Sequence, residues 1–323
     1  MRLLKLIPDD TNLDFMRWRN VALVLSIVVT LASIALVAVR GLNLGVDFVG
    51  GQQIRVTFSR PVPIDEVRST VASLNMGEAS IQEFGDPRTV QIRMGLPQGG
   101  EDAANKAAST VRNAIKARHP DAQFAVDTVS GKVSNELYRS GAISIALAML
   151  GIAIYIWFRF EWQFGVGALV TLFHDVSMTL GFFSLMQFEF NLNVVAAILT
   201  IVGYSLNDTV VIYDRIRENL RKYRKMEIVP LLNVSLNETL SRTMVTSLSI
   251  LLALLALLLI GPAVIFGLTI AIFLGIFIGT YSSIYISSPI LVWLRVSGDS
   301  FLPRTATAGP GGGERVTSRN ESM

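Results

Sequence analysis

Long apolar stretches recur along the chain, with most of the charged residues in the segments between them. These stretches lie at residues 21–39, 140–158, 164–186, 192–213, 243–261 and 264–294. A helix of about 20 apolar residues is long enough to cross the hydrocarbon core of a bilayer. The last stretch exceeds that length and contains Gly275 and Gly279, which predicts a tilt or a break. The pattern therefore predicts six membrane-spanning helices.

Residues 40–139, between the first two predicted spans, have the periodicity of a small folded domain. Because the first apolar stretch is too long for a signal peptide, we expect an uncleaved anchor that leads into this domain. Strand or helix periodicity appears, in order, at residues 53–58, 64–74, 79–84, 89–94, 101–118 and 124–129. The resulting order βαββαβ is that of a ferredoxin-like sandwich. We find no catalytic constellation in it and expect binding or mechanical work.

Lysine and arginine near the ends of the spans predict the orientation in the membrane. They occur in the segment 1–20, in the loop 214–242 and after the last span, whereas the links 187–191 and 261–263 contain neither. Basic residues mark the cytoplasmic side. We therefore expect both termini in the cytoplasm and residues 40–139 in the periplasm.

The chain is thus predicted to be an α-helical membrane protein with an α+β domain inserted between its first two spans. Composition agrees, because 16% of the 323 residues are charged, whereas soluble domains usually carry about 25%. The predicted organisation is a cytoplasmic segment 1–20, a first span 21–39, the periplasmic domain 40–139, a bundle of the other five spans at 140–302 and a disordered cytoplasmic tail 303–323.

Composition also excludes several kinds of chemistry. The chain has no cysteine, which removes disulfides, thiolate metal sites and cysteine nucleophiles. Its two histidines, His119 and His174, are far apart in the sequence, so no metal site is predicted. The net charge of +3 is small, and no groove of alternating aromatic and basic residues suggests nucleic acid as a partner. An enzyme is the least favoured class, because no nucleophile–base pair or phosphate loop appears.

Three predicted spans carry polar residues at helical spacing. Placing a charged side chain at the centre of a membrane helix costs at least about 2.5–3.5 kcal/mol of insertion free energy, so the charged residues among them indicate a structural or functional role. We expect the three stripes to face one another rather than lipid, and Asp208 to pair with Arg242. The stripes are Thr200, Tyr204, Asn207 and Asp208 in the fourth span; Arg242, Thr246 and Ser249 in the fifth; and Thr171, Asp175 and Thr179, with His174 beside them, in the third.

Two interpretations of these residues stay open. They either join helices through buried hydrogen bonds, which average only about 0.6 kcal/mol in membranes, or they carry protons. An ionisable residue inside a membrane is functional by default, which favours a proton-carrying role for Asp208. Arg242 can instead extend to the interface, and His174 and Asp175 fit a structural role equally well. In the functional interpretation, alternate pairing and separation of Asp208 and Arg242 makes the carboxylate release and bind a proton.

Four sequence strings resemble the SecF family of protein-export subunits. Residues 42–51 (LNLGVDFVGG) are similar to the family signature at the start of the periplasmic domain. Residues 202–219 (VGYSLNDTVVIYDRIREN) resemble its fourth-helix motif, and residues 237–247 (NETLSRTMVTS) the start of its fifth helix. Residues 279–289 contain GTYSS and SP strings similar to those of its last helix. The resemblance covers essentially residues 10–295.

This resemblance implies one half of an RND-superfamily unit, whose working form has twelve membrane helices, so a SecD partner is expected. It also implies association with the SecYEG channel and YajC in the bacterial inner membrane, surrounded by lipid. The implied activity is assistance to the translocation of unfolded preproteins across the membrane, driven by proton flow. Protons are the coupling ion, and no other cofactor is implied. The family's proton-transport residues fall on Asp208 and Arg242. The family's periplasmic signature falls on Gly45, Asp47, Gly50 and Gly51, of which Asp47 is interpreted as structural.

Two other functions stay open from the sequence. One half of an RND-type exporter of lipids or lipophilic compounds would use the same proton chemistry, but would be expected to carry larger exported domains with a substrate cleft. A passive scaffold would only stabilise a channel. Neutralising Asp208 would then impair assembly rather than energy coupling.

Overall fold

The computed structural model describes residues 11–76, 79–95 and 100–296. The predicted tail 303–323 and residues 1–10 of the predicted N-terminal segment lie outside the described residues. Short 3-10 turns at Phe15–Trp18 and Ala263–Ile265 precede two of the long helices. The elements, in chain order, are α1 (Arg19–Arg40), β1 (Asn43–Leu44), α2 (Val46–Val49), β2 (Gly51–Thr57), α3 (Ile64–Ala72), β3 (Ala79–Phe84), β4 (Asp86–Met94), α4 (Gly100–Arg118), β5 (Gln123–Val129), α5 (Gly131–Arg159), α6 (Trp162–Met186), β6 (Glu189–Phe190), α7 (Leu192–Lys222), α8 (Ile228–Ile260), α9 (Phe266–Tyr285) and α10 (Ser287–Trp293).

Six helical segments of the described chain are long and apolar enough to cross a membrane, which confirms the predicted number. They are α1 with the turn before it, α5, α6, α7, α8, and α9 continued by α10. The apolar parts of α6, α7 and α9 are half-buried, whereas those of α1, α5 and α8 are mostly exposed. Helices α6, α7 and α9 therefore form the centre of the bundle, and the exposed apolar surface of the others suits lipid.

The helices extend beyond the apolar stretches from which they were predicted. Helix α7 continues to Lys222 and α8 begins at Ile228, so most of the predicted loop 214–242 is helical and the link between the helices is residues 223–227. Hydropathy misses these ends because they are polar on one side. Their apolar sides, however, belong to one buried cluster, and Arg215 Nε donates a hydrogen bond to Glu238 at 2.7 Å across the two helices.

The last span is broken, as its length predicted, and the break falls beyond its two glycines, at Ile286. Ile286 has φ −119° and ψ −55°. Pro289 has no N–H group to donate to the carbonyl one turn earlier, which explains why the helix cannot continue regularly. Gly275 has a different role, because a Cβ there would collide with the side chain of Ile201 in α7. Helix α9 therefore packs against α7 more closely than a larger residue would permit.

Strands β2–β5 and helices α3 and α4 form the domain between the first two spans. The strands are all antiparallel, in the order β3-β4-β2-β5, which confirms the ferredoxin-like arrangement. Ile54 pairs with Ile92 in the sheet, and both are fully buried under the helices with Val111. Helix α5 begins at Gly131, so it starts nine residues before the predicted second span at residue 140.

A two-stranded parallel pair joins the start of this domain to the membrane bundle. Strand β1, directly after α1, pairs with β6, in the link between α6 and α7. Asn43 lies opposite Glu189, and Leu44 lies opposite Phe190. The chain that leaves the first span is thus fixed to the start of α7.

Candidate functional site

The carboxylate of Asp208 lies on the buried face of α7. Ile201, Ser205, Asp208 and Ile212 recur at helical spacing, and all four are buried. Asp208 is 3% exposed, and its Oδ2 receives no hydrogen bond from any described residue. At 1.5 Å per residue it lies about 24 Å along the helix from Leu192. A carboxylate in this position is separated from bulk water, so the free energy of its charged form depends strongly on its neighbours.

Asp175 is held in a cage of hydrogen bonds between α6, α7 and α9. It is 1% exposed. Ser205 and Ser282 donate to its Oδ2 at 2.5 and 2.9 Å, and its Oδ1 shares a hydrogen bond of 2.9 Å with His174 Nδ1. His174 is 4% exposed, and its Nε2 is buried without a hydrogen-bond partner among the described residues. Three helices thus contribute side chains to one carboxylate.

Ser205 contacts Asp175 and lies one helical turn from Asp208. It precedes Asp208 by three residues, so both side chains lie on the same face of α7, one turn apart. A Cβ at Gly279 would lie 3.6 Å from Asp175 Oδ2, which shows how closely α9 approaches the cage. Neither the role of Ser205 nor the contact between Ser282 and Asp175 was predicted from the sequence. The spacing of Ser205 from Asp208 was the available signal for the first, and none was available for the second.

Arg242 does not form the predicted ion pair with Asp208 in this structure. It lies on an exposed face of α8, and no described acidic group is within 4.0 Å of it. It is nevertheless close enough to act electrostatically on the Asp208 carboxylate. The two groups are therefore near each other but not paired. Asp208 faces the interior of the bundle, whereas Arg242 lies on an exposed face.

The predicted polar stripes divide between buried and exposed faces. Thr200 and Asn207 are exposed on α7, whereas Asp208 is buried, because successive helical residues point about 100° apart. Thr246 and Ser249 are exposed on α8, on the same face as Arg242. The structure therefore corrects the expectation that all three stripes face one another.

A second hydrogen-bonded chain joins α7, α8 and α9. Tyr204 and Ser247 share a hydrogen bond of 3.0 Å, and Thr280 donates to Ser247 Oγ at 2.9 Å. In α6, Thr171 and Thr179 donate to carbonyls of their own helix. Of the predicted supporting residues, Tyr204 thus makes contacts between helices.

The glycine-rich motif, residues 42–51, connects α1 with the exported sheet. Asp47 Oδ2 accepts a hydrogen bond of 3.0 Å from the backbone N–H of Leu192, the first residue of α7. Gly50 has φ +75°, and a Cβ there would lie 3.2 Å from Cα of Gly131. The motif therefore makes structural contacts at the starts of α5 and α7.

This architecture defines a class of protein. The described chain has six helices that are long and apolar enough to cross a membrane, the carboxylates of Asp175 and Asp208 are buried in the bundle, and a folded domain follows the first helix. Ionisable side chains inside a helical bundle mark ion pathways, so the class is that of a membrane transport subunit.

Comparison with known proteins identifies the family. The family model described as "Protein export membrane protein SecD/SecF, C-terminal" matches residues 110–297, and the SecD/SecF GG motif matches residues 35–62. The protein translocase subunit SecF of Rickettsia rickettsii is 43% identical over 291 residues, which cover 89% of this chain and 94% of that protein. SecF of Cereibacter sphaeroides is 42% identical over 300 residues, which cover 91% and 93%.

Solved structures agree with this result. The crystal structure of SecDF from Thermus thermophilus, described as a translocon-associated membrane protein, matches with a TM-score of 0.82 and 32% identity, over 90% of this chain and 40% of that one. A super-membrane-facing form of SecDF matches with a TM-score of 0.66 and 33% identity, over 88% and 39%. This chain therefore spans less than half of the SecDF chains. It belongs to the SecD/SecF family, as a SecF-type protein translocase subunit, which confirms the sequence-based resemblance and the class of transporter rather than enzyme.

Proposed function

We propose that this chain uses proton flow, together with a SecD-type partner, to help unfolded preproteins cross the bacterial inner membrane. The buried carboxylate of Asp208 carries the proposal, because one of its oxygens receives no hydrogen bond from the described residues. The family supports protein export. The position of the carboxylate inside the bundle supports proton coupling.

The proposed proton exchange depends on the separation between Asp208 and Arg242. While the guanidinium is apart, burial favours the neutral, protonated carboxyl group. When α7 and α8 shift so that the two groups pair, the charged carboxylate is stabilised and the proton leaves. One charge crossing the membrane provides about 2.3 kcal/mol per 100 mV. Because about 1.4 kcal/mol is a factor of ten in an equilibrium constant, this is enough to shift a two-state helix packing.

Asp175 and His174 extend this proposal along the buried seam. Ser205 hydrogen-bonds to Asp175 and lies one turn from Asp208, so the hydroxyl offers a path between the two carboxylates. His174 contacts the other oxygen of Asp175 and has a second ring nitrogen inside the bundle. We include both residues in the proton relay.

A SecD-type partner is proposed to cover one face of α7. That face is exposed along the helix. It carries the polar residues Asn193, Thr200 and Asn207, together with Gly203, which has no side chain. Polar and small residues are typical of contacts between membrane helices, whereas such a face gains little from lipid. A second set of six helices would complete a twelve-helix unit. The SecYEG channel and YajC are further proposed partners, by family.

The proposed orientation places both termini in the cytoplasm and residues 40–139 in the periplasm. Arg221, Lys222, Arg224 and Lys225 are exposed at the end of α7 and in the link that follows it. The link 187–191 at the other end of the bundle has no lysine or arginine. The positive-inside rule then assigns the end of α7 to the cytoplasm.

The proposal is tested in inverted membrane vesicles that carry the channel, with and without this chain and its SecD-type partner. Precursor transport is measured before and after an ionophore collapses the proton gradient. We expect the stimulation due to this chain to disappear after collapse. Equal stimulation with and without the gradient would exclude proton coupling.

Replacing Arg242 with Gln is expected to lower export about tenfold, because a partner charge changes carboxylate protonation by one to three decades. Protein levels should be unchanged, since Arg242 is exposed and forms no ion pair within the described residues. Arg242→Lys should restore part of the activity, because it keeps the charge. Arg221→Gln, an exposed change at the end of α7, is the control. Processing of a secretory precursor in cells is the measurement, and normal processing in Arg242→Gln would contradict the exchange.

Replacing Asp175 with Asn separates proton transport from packing. The amide oxygen can still accept from Ser205 and Ser282, so we expect normal assembly but export lowered about tenfold. Asp175→Leu leaves both hydroxyls without their acceptor and should also lower the amount of folded protein. Precursor processing and protein level are measured together. If Asp175→Asn exports normally and only Asp175→Leu fails, Asp175 is structural.

A further inference from the structure

The sheet of the exported domain turns a polar face toward the membrane bundle. In β2, Ile54 and Val56 face the core of the domain, so Gln53 and Arg55 face the opposite way. Gln91 of β4 is also on this side and is fully buried, although it belongs to no apolar core. A buried amide needs hydrogen-bond partners. Here the partners come from the membrane bundle.

Glu189, in the link between α6 and α7, receives hydrogen bonds from this face. Gln91 Nε2 donates to Glu189 Oε2 at 2.5 Å. The amide of Gln53, oriented with its nitrogen toward the carboxylate, donates to Oε1 at 3.1 Å. Glu189 is only 9% exposed, and no described lysine, arginine or histidine pairs with it. Two neutral amides from two strands therefore hold one buried carboxylate.

The space for this carboxylate depends on the glycine-rich motif. A Cβ at Gly45 would lie 2.7 Å from Glu189 Oε1. Beside it, Arg93 of β4 donates to the carbonyl of Leu44 at 2.9 Å and to Asn43 Oδ1 at 2.7 Å. Both contacts join the sheet to β1, which is itself paired with β6. The domain is thus fixed to the bundle by side chains of two strands.

Glu189 lies three residues before the start of α7, the helix that carries Asp208. The N–H of Leu192 at that start is bound by Asp47, so the link has little freedom relative to the helix. A helix transmits axial displacement along its length, because its backbone hydrogen bonds connect every turn. A movement of α7 at Asp208 will therefore displace Glu189 and whatever Glu189 holds.

We infer that Glu189 is the positioning residue that couples α7 to the exported domain, so that the helix and the domain move as one body. A carboxylate suits this role because its two oxygens accept from two strands at once, through bonds strengthened by charge. A glutamine would offer only one oxygen. The inference rests on the proposed proton-driven export, since the movement that it transmits is the one driven at Asp208.

The geometric part of the test is made on the full chain with its SecD-type partner in lipid nanodiscs. Because the chain has no cysteine, Lys116→Cys on α4 and Arg221→Cys on α7, both exposed, place spin labels on the domain and the bundle alone. Pulsed electron resonance then gives the distribution of distances between the two labels. We expect a narrow distribution in the parent, a broad one with Glu189→Ala and an intermediate one with Glu189→Gln. Asn113→Ala removes an exposed amide of α4, away from this contact, and should match the parent.

The functional part compares precursor processing in cells. Residues that carry coupling typically change it by about 2- to 30-fold, so Glu189→Ala should lower export about fivefold at normal protein level and partner assembly. Gln91→Ala should lower it by less, and the double variant should be no worse than Glu189→Ala, because both remove the same contact. If the two residues only stabilised the fold, the variants would instead lower the protein level, and the effects of the two single changes would add in the double variant.

Each outcome of these measurements bears on a separate statement. An unchanged distance distribution in Glu189→Ala overturns the inference. A broad distribution with normal export also overturns it, because the domain then need not follow α7. If Asp208→Asn exports normally, the proposed role of Asp208 fails, while the distance distributions still report whether Glu189 holds the domain.

Discussion

Replacing Asp208 with Asn should abolish proton-driven export while the protein still assembles. Asparagine has nearly the same shape but cannot bind and release a proton, so the exchange with Arg242 stops. We expect precursor processing to fall at least tenfold, toward the level without the chain, since a positioned acid–base group typically contributes about 10²–10⁴-fold. Stability should be equal or higher, because burying a neutral amide costs less than burying a charge. Precursor processing and the melting temperature of the purified complex are the measurements.

Asp121→Asn is the matched control for this change. It makes the same chemical change at an exposed carboxylate of the exported domain, outside the membrane bundle, and should leave export within about twofold of the parent. Asp208→Glu should keep part of the activity, because it retains a carboxyl group that is displaced by one methylene. Normal processing in Asp208→Asn would remove this residue from the relay. Loss of partner assembly would favour the passive scaffold.

The arrangement of the spans and the exported sheet was predictable because both depend on periodic burial. Twenty apolar residues require a membrane or a core, and alternation in residues 53–58 requires a sheet with one buried face. The ends of α7 and α8 were not predictable in this way. They bury one side against each other and expose the other, so their mean hydropathy resembles that of a loop.

The candidate site was predicted only in part, for a related reason. Asp208 and Asp175 were identified because a charge in an apolar stretch is conspicuous at any rotation of the helix. Their neighbours depend on that rotation: Asn207 and Asp208 are adjacent, yet one is exposed and the other buried. Ser205 acquires its role from a helix 30 residues earlier in the chain, and no local pattern encodes that contact.

The burial of Glu189 and its hydrogen-bond partners also could not be predicted from local sequence patterns. A glutamate in a five-residue link between spans is typical of a solvated turn. Only the docking of a separate domain, through Gln91 and Gln53, buries it. Long-range polar contacts of this kind join elements whose sequences are independent, so their partners emerge only from the folded chain.

Replacing Gly51 with Ala should unfold or displace the exported domain, which is the largest structural effect that we expect. Gly51 begins β2 with φ +130°, a region that is essentially restricted to glycine and costs other residues about 1–3 kcal/mol. A Cβ there would also lie 2.6 Å from the carbonyl oxygen of Met94, a backbone atom of the neighbouring strand. Limited proteolysis of the purified full chain is the measurement, with cleavage expected within residues 51–129 at protease levels that leave the parent intact.

Alanine substitutions at two other glycines distinguish backbone strain from steric collision as the cause of this effect. Gly41→Ala has a positive φ of +73° but no atom within 4 Å of the new Cβ, so it tests backbone strain without a collision. Gly95→Ala has neither and should resemble the parent. We expect protease sensitivity to fall in the order Gly51→Ala, Gly41→Ala, Gly95→Ala, and equal resistance of all three would contradict the argument. Gly51→Ala should lose both export and the protease resistance of the exported domain, whereas Asp208→Asn should lose export but keep that resistance. Only the first change disrupts the domain that α7 is proposed to move.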